Sequence, residues 1–537
     1  MASFFHPKIG PVQGRDVEGC AQFLGIKYAT LRDRFAPAEI IQYQGSGLRA
    51  THYGPQVINP PDAVDVELSL IQKSLPKPQF PGVSDIDGLT LNITVPSNAD
   101  KINEELRLPV LVFIHGGGYY IGGNWWPQYD FSKLVKLSAN LGKPIIGINI
   151  NYRVGASGFL TTPELRAAGY ELNNGLRDQR AALRWIEANI AGFGGSPENI
   201  SVMGESAGGV SAGYLLFSEA PLAKRLICLS GCYPLLGQLQ VEDADKVGKT
   251  VIDHLGLRDV PSSEIARRLL DQPIEDFWMK IPPNIPMLPI IDGVIIPQQI
   301  NFETLAQDAT RIPGKQWIDG VMIGDSEFNG TIMAYHYLLR RKEGIGAAFR
   351  QSAMESLHDY PEVLLLLLNH YSLSEPATEE LSDDEVLLNI LKFISDVAFL
   401  LPAINFAERM PSSKQSYVYH FNEPNPWTGP FKGYASHILD VAFIFQNYNK
   451  DLDEKQKATA VAFATDIITF VNGQQPWTPF KSRRGAKSYS QGGGEYSEPP
   501  NESKTRRNQF ILELAKDNNG PGMDGLTKVF TKFMEGK

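Results

Sequence analysis

Cysteine is scarce in this chain. Its 537 residues include three, Cys20, Cys228 and Cys232, too few for a disulfide framework. Cys228 lies in the apolar run Leu226-Ile227-Cys228-Leu229 and reads as a small buried residue. Long basic runs are also missing. The net charge is −10 and the pI about 5.5, which argues against nucleic acid and anionic membrane surfaces as partners. No stretch approaches the roughly 18 uninterrupted apolar residues of a membrane span. The nearest, Val386 to Leu401, is interrupted by Asn389, Lys392 and Asp396. Met1 to Gly14 lacks the apolar core of a signal peptide, and Phe533 to Lys537 is neither an ER-retention nor a peroxisomal signal. Together these absences set the expectation of a reducing compartment, most simply the cytoplasm. There is no internal repeat and no low-complexity linker, so one domain over residues 1–537 is expected.

What the chain does have is apolar runs of strand length alternating with helical periodicity. Pro109 to Ile114, Pro144 to Ile150, Asn199 to Met203 and Arg225 to Leu229 suit strands of a parallel sheet covered on both faces. Leu89 to Val95 alternates like a strand. Asn174 to Ala191 carries Leu176, Ala182, Leu183, Ile186 and Ile190 near the 3.6 period of a helix. Trp317 to Ile323 and Ser416 to Phe421 return to strand. Val241 to Pro289, Thr331 to His370, Glu385 to Arg409 and Lys455 to Val471 read as helical, and the glycines at 492–494 as a loop. Strands alternating with helices predict an α/β fold with helical insertions. The insertions fall where a cap would cover a site.

One stretch carries chemistry. Gly204-Glu205-Ser206-Ala207-Gly208 stands between a strand-like run and a helix-like one, the setting of a serine nucleophile on a sharp turn. A second stretch, His115-Gly116-Gly117-Gly118, follows another buried strand. Consecutive glycines there let backbone N–H groups face a tetrahedral oxyanion. A serine hydroxyl needs a general base. Of the late histidines, His420 lies inside a strand-like run and His437 in the loop Gly433 to His437, just before an apolar segment. A loop position beyond a late strand favours His437. His336, His358 and His370 sit in helical patterns and read as surface or packing residues.

These motifs resemble the type B carboxylesterase family of α/β-hydrolases. Phe23-Leu24-Gly25-Ile26-Lys27-Tyr28-Ala29 is similar to the family's opening F-x-G-I-P-Y-A. Gly175 to Gln179, Ala182 to Trp185, Asn189-Ile190 and Phe193 to Gly195 resemble its G-L-x-D-Q…A-L-x-W…N-I…F-G-G signature, which ends in G-E-S-A-G. His437-Ile438-Leu439-Asp440 fits the H-x-x-E/D around its catalytic histidine. The resemblance implies an α/β-hydrolase fold, a large mostly parallel sheet flanked by helices with helical insertions capping the site. It implies Ser206 as nucleophile, His437 as base, and the N–H groups of Gly117, Gly118 and Ala207 as oxyanion hole. Tyr119, Tyr120, Trp125 and Trp126 would line part of the pocket. No metal or organic cofactor is implied.

Two departures from the family stand out. Secreted members carry a disulfide whose positions here are Val57 and Gly88, so an intracellular, fungal-type member is expected. The acid of the triad is also missing: Gly324-Asp325-Ser326-Glu327-Phe328-Asn329-Gly330 puts Asn329 where the family has a carboxylate. An asparagine orients an imidazole but adds no charge, and the corresponding change in a serine protease lowers turnover about 10⁴-fold. Glu327 and Asp325 are the neighbouring carboxylates, and each would need the loop rearranged. The expected activity is cleavage of small lipophilic carboxylic esters through an acyl-serine. The alternatives are a specialised acyl-transfer, lactone or cyclisation reaction on the same scaffold, and a non-catalytic binding protein. Nothing in the sequence sets an oligomeric state.

Overall fold

A computed structural model describes residues 2–96, 101–307, 310–498, 509–516 and 520–536, with backbone alone at 335 and 336. Among the described residues the chain builds a 13-stranded sheet. Twelve strands form its continuous path: β1 (Ala2–His6), β2 (Gly10–Val17), β3 (Cys20–Lys27), β4 (Thr90–Val95), β5 (Leu108–Ile114), β6 (Ile146–Ile150), β7 (Gly195–Glu205), β8 (Arg225–Leu229), β9 (Gly320–Ser326), β10 (Gln415–Phe421), β11 (Ala486–Ser490) and β12 (Gly493–Ser497). Their order in space is β1-β2-β3-β4-β6-β5-β7-β8-β9-β10-β11-β12. From β6 to β11 every pairing is parallel. The antiparallel strands β1–β4 close one end and β12 the other.

The parallel strands are apolar because both of their faces are covered. On β5, Val110, Val112 and Ile114 face one core while Leu111 and Phe113 face the other. On β7, Val202 and Met203 divide the same way. The side-chain period of two thus serves two hydrophobic layers at once. Each such residue contributes about 1.5–3 kcal/mol by leaving water. A charge at Val112 or Val202 would be stranded between the sheet and its covering helices.

Several boundaries differ from the sequence expectations. Gly314–Trp317 is a helical turn, and the strand begins only at Gly320. The expected helix over 331–370 is broken into short pieces. Its interruptions include a π-helical segment at Ala334–Leu338, Gly344 in the left-handed region, and Pro361 at the start of the helix Pro361–His370. The glycines at 493 and 494 pair in β12 rather than forming a loop. The run from Asp383 to Arg409 is long and apolar enough to cross a membrane, yet 78% of its most apolar window is buried within the protein. It is a core helix, interrupted by a second π-helical segment at Ser395–Leu400.

The helical insertions fall between β8 and β9 and between β9 and β10, each leaving from the carboxyl end of a parallel strand. Those ends are where ligand sites form in open α/β sheets. A buried ion pair braces the loop after β6. Arg153, just after β6, makes a bidentate contact with Asp178, both buried, and its third nitrogen donates to the carbonyls of Arg34 and Ala36. The aspartate of the Gly175–Gln179 signature is therefore a brace.

Candidate active site

Ser206 caps the helix Ala207–Tyr214 directly after β7. Its backbone stands at φ 52°, ψ −122°, a conformation that costs a non-glycine residue of order 1–3 kcal/mol. The turn is held by close contacts that only glycine allows. A Cβ on Gly204 would sit 2.1 Å from the carbonyl oxygen of Gly208, and one on Gly208 would sit 2.1 Å from that of Ile114. The serine N–H donates to Leu229 O at 2.9 Å, tying the turn to β8.

The glycine-rich loop lies against this turn. A side chain on Gly116 would meet Glu205 Oε2 at 2.4 Å and Ser206 Cβ at 3.0 Å. Gly117 turns the chain at φ +87°, and its carbonyl accepts from the N–H groups of Tyr120 and Ile121. Gly118, at φ +62°, has open space where a Cβ would be. Ala207 begins the helix directly after the serine, where the first N–H groups of a helix have no partner within it.

His437 arrives from the other side. The loop after β9 is zipped to the loop carrying the histidine: Phe328 N–H donates to Ala435 O at 2.9 Å, and His437 N–H donates to Thr331 Oγ1 at 3.1 Å. This pairing turns Asn329 inward, fully buried, with its Oδ1 2.8 Å from His437 Nδ1. With an oxygen as acceptor, Nδ1 carries the ring hydrogen and Nε2 keeps its lone pair. Asn329 Nδ2 has no hydrogen-bond partner among the described residues. On its opposite edge His437 meets a carboxyl: Nε2 lies 3.1 Å from Glu205 Oε1, within ion-pair range but not aligned as a hydrogen bond. Burial, with Asp440 and Glu67 nearby, pushes the Glu205 carboxyl well above the usual carboxylate range.

The nearer aspartate is engaged elsewhere. Asp325 accepts from His420 Nδ1 at 3.0 Å, a buried pair within the sheet. Glu327 is half-buried, and its N–H donates to Phe421 O across to β10. Between Glu327 and Asn329, Phe328 forms a parallel bridge with Ser436.

The carboxylesterase family model matches residues 3–512 of the chain. The chain belongs to this family. Para-nitrobenzyl esterase of Bacillus subtilis is 28% identical over 493 residues, covering 87% of this chain and 89% of the relative. Carboxylesterase 1C of Rattus norvegicus is 31% identical over 439 residues, covering 77% and 74%. Among solved structures, a PNB esterase superposes with a TM-score of 0.68 at 24% identity, covering 94% of this chain and 99% of that one. A thermophilic PNB esterase gives 0.70 at the same identity. The fold is that of the α/β-hydrolases, and the activity is ester hydrolysis by a serine hydrolase.

Most of the aromatic residues expected to line this carboxylesterase's pocket belong to its core. Tyr119 is fully buried, its hydroxyl 3.1 Å from Ser211 Oγ. Trp125 is buried and donates to Gln56 Oε1 at 2.9 Å, while Trp126 is stacked between His115 and Tyr129. Large rings bury most stably where their polar edge finds a partner. Only Tyr120 is half-buried, donating to Pro282 O at 2.7 Å. His115, stacked on Tyr152, is held neutral, its pKa lowered to about 4 by burial. His358 is exposed, and His370 stacks on Phe510; the His336 side chain lies outside the described residues.

Sequence reasoning missed the residues that press on His437 from behind. Phe399, in the second π-helical segment, packs edge-on against the imidazole at 5.4 Å between centroids. Ser395, in the same segment, accepts from Gly330 N–H at 2.9 Å and so anchors the loop of Asn329. Neither had a signal in the sequence, since both sit in an apolar helical run. Glu205 did have one, as a charged residue directly before the candidate nucleophile.

Proposed function

We propose that Ser206 attacks the carbonyl carbon of a carboxylic ester while His437 Nε2 takes the hydroxyl proton. The oxyanion that forms is stabilised by the amides of Gly117, Gly118 and Ala207. His437 then returns the proton to the leaving alcohol, an acyl-serine remains, and a water repeats the sequence to release the acid. The observation that carries this reading is the 2.8 Å contact from His437 Nδ1 to Asn329 Oδ1, which leaves Nε2 basic on the side facing the serine turn. Asn329 orients the ring as an acid would, without contributing charge. Membership of the carboxylesterase family favours hydrolysis over the specialised reactions and the binding role.

Small lipophilic esters are the substrates we assign, and p-nitrobenzyl or p-nitrophenyl esters are the natural probes, after the Bacillus relative. The test is a fluorophosphonate probe, which reacts only with an activated serine. The expected result is one adduct, on Ser206, blocked by prior incubation with the ester. A protein that stays unlabelled while hydrolysing the ester would overturn the assignment.

We further propose one functional unit over the chain and an intracellular, fungal-type member acting in the cytoplasm. The support is that Cys20, Cys228 and Cys232 are all free and buried, with no cysteine at 57 or 88. Recovery of the activity from culture medium rather than from the cytosolic fraction would contradict this localisation.

A further inference from the structure

The oxyanion hole assigned above is drawn from two separate pieces of chain. Ala207 opens the helix after the serine, whereas Gly117 and Gly118 belong to the loop after β5. Glycine fixes its own backbone less than any other residue, so the loop must be set by what flanks it. Before the glycines, the carbonyl of His115 accepts from the Tyr152 hydroxyl at 2.9 Å. At Gly116 the loop abuts Ser206 itself. A Cβ on Gly117 would meet Ile121 of its own turn, and one on Gly118 would have open space. The next residue, Tyr119, stands at φ +66°, and its carbonyl accepts from Gly155 N–H at 2.7 Å. Its ring is fully buried and packs on Phe159 at 4.7 Å between centroids. Its hydroxyl lies 3.1 Å from Ser211 Oγ. Ser211 stands one turn after Ala207, on the same face of the serine helix. Its Oγ also accepts from Gln179 Nε2 at 3.1 Å, which ties it to the helix Asn174–Asn189. Tyr119 thus joins the far end of the glycine loop to the helix that carries the third amide.

We propose that Tyr119 is a positioning residue for ester cleavage: through its hydroxyl contact with Ser211 it holds the Gly117 and Gly118 amides in register with the Ala207 amide around the oxyanion. This rests on the roles given above to Ser206 and to those three amides. In the step concerned, a bond forms between Ser206 Oγ and the ester carbon. The carbonyl π pair moves onto oxygen, and the hydroxyl proton passes to His437 Nε2. Tyr119 exchanges no proton and makes no bond. What it fixes is the spacing of donors that must converge on one oxygen. Hydrogen bonds weaken steeply once a donor is misaligned, and a misplacement of about 1 Å can cost about 10²-fold in rate. Packing and positioning are separable here, because phenylalanine keeps the ring against Phe159 and removes only the hydroxyl contact.

The experiment compares the wild type, Tyr119→Phe, Ser211→Ala and the double variant on p-nitrophenyl butyrate, with propyl trifluoromethyl ketone as inhibitor. That ketone adds to an activated serine and leaves an oxyanion where the ester would. Tyr119→Phe is expected to lower kcat by about tenfold and to change KM less than about twofold. Affinity for the ketone should fall by the same factor as kcat, because both depend on the amides around the oxyanion. The double variant should lose no more than Ser211→Ala alone, since the same contact is lost in each. An unchanged kcat, whatever happens to Tm, marks a packing role and overturns the proposal. So does a lower kcat with unchanged affinity for the ketone, and so do losses that multiply in the double variant. Should Tyr119→Phe fail to fold, Ser211→Ala carries the test: kcat and ketone affinity must fall together, and a change in KM alone overturns the idea. Fluorophosphonate labelling of the wild type separates the two readings. An unlabelled wild type means the Ser206 assignment has failed, and a labelled wild type whose Tyr119→Phe variant keeps its kcat means this one has.

Discussion

The two edges of His437 are built by different kinds of loop. On the Nε2 edge stands the serine turn, where Gly204, Gly208 and Gly116 are in backbone contact and a carboxyl, Glu205, lies 3.1 Å from the ring. On the Nδ1 edge stands the loop after β9, where a neutral amide, Asn329, lies 2.8 Å away. In the family pattern the charge belongs on the Nδ1 edge. Here the amide lies on the Nδ1 edge and the Glu205 carboxyl on the other. Orienting a base and balancing its charge are separable tasks, and different loops supply the groups on each edge of this ring.

Breaking the serine side should have the largest effect. Ser206→Ala is expected to reduce kcat for p-nitrophenyl butyrate by about 10⁶-fold, as loss of a serine nucleophile does elsewhere, with an unchanged circular dichroism spectrum. Retention of more than a few per cent of the rate would remove the acyl-serine mechanism. Next comes the loop facing the serine. Gly117→Val forces a side chain into the Ile121 carbonyl at a φ of +87°, and should cost about 10²–10³-fold, mainly in kcat, because the amides act on charge present only in the transition state. A change confined to KM would argue that this loop binds substrate without stabilising the oxyanion.

The Nδ1 side should respond in the opposite direction. Asn329→Glu places a carboxylate where the family has one and should raise simple-ester turnover, by at least about tenfold and up to about 10⁴-fold. Glu327→Gln should change the rate less than about twofold, since His437 Nδ1 is already occupied by Asn329 Oδ1. A dead Glu327→Gln beside an unimproved Asn329→Glu would show that the acid has moved along the loop.

The smallest effect concerns stability. The folded protein holds Glu67 at about 7 against an ordinary 4.5. A carboxyl raised in this way leaves the folded state binding more protons than the unfolded one between those values. Stability therefore falls as pH rises from 4.5 to about 7 and then levels, a loss of roughly 3 kcal/mol. Glu67→Gln should thus raise Tm at pH 8 by a few degrees and change it little at pH 5, measured by calorimetry. Equal Tm shifts at both pH values would show that no buried ionisation is involved.

Much of this was legible in the chain itself. The alternation of apolar strands with helical runs determined an α/β sheet, because a strand covered on both faces must be apolar along its whole length. The glycines around Ser206 and after His115 determined a sharp turn beside a bare loop, because close backbone approach has no other solution. The departure at Asn329 was also visible, since it is a matter of spacing within one loop. What only the tertiary structure decided was which side chains share a space. Tyr119, Trp125 and Trp126 became core because the sheet and the N-terminal segments closed over them. Phe399 came to pack on His437, and Ser395 to hold the Asn329 loop, because both lie in a π-helical turn of an inserted helix. Glu67 came to lie behind the serine turn only because a helix 139 residues upstream of Ser206 folds against Tyr129. Local patterns are set by neighbours in the chain, whereas the field at an ionising group is set by whatever the fold brings within a few ångströms of it.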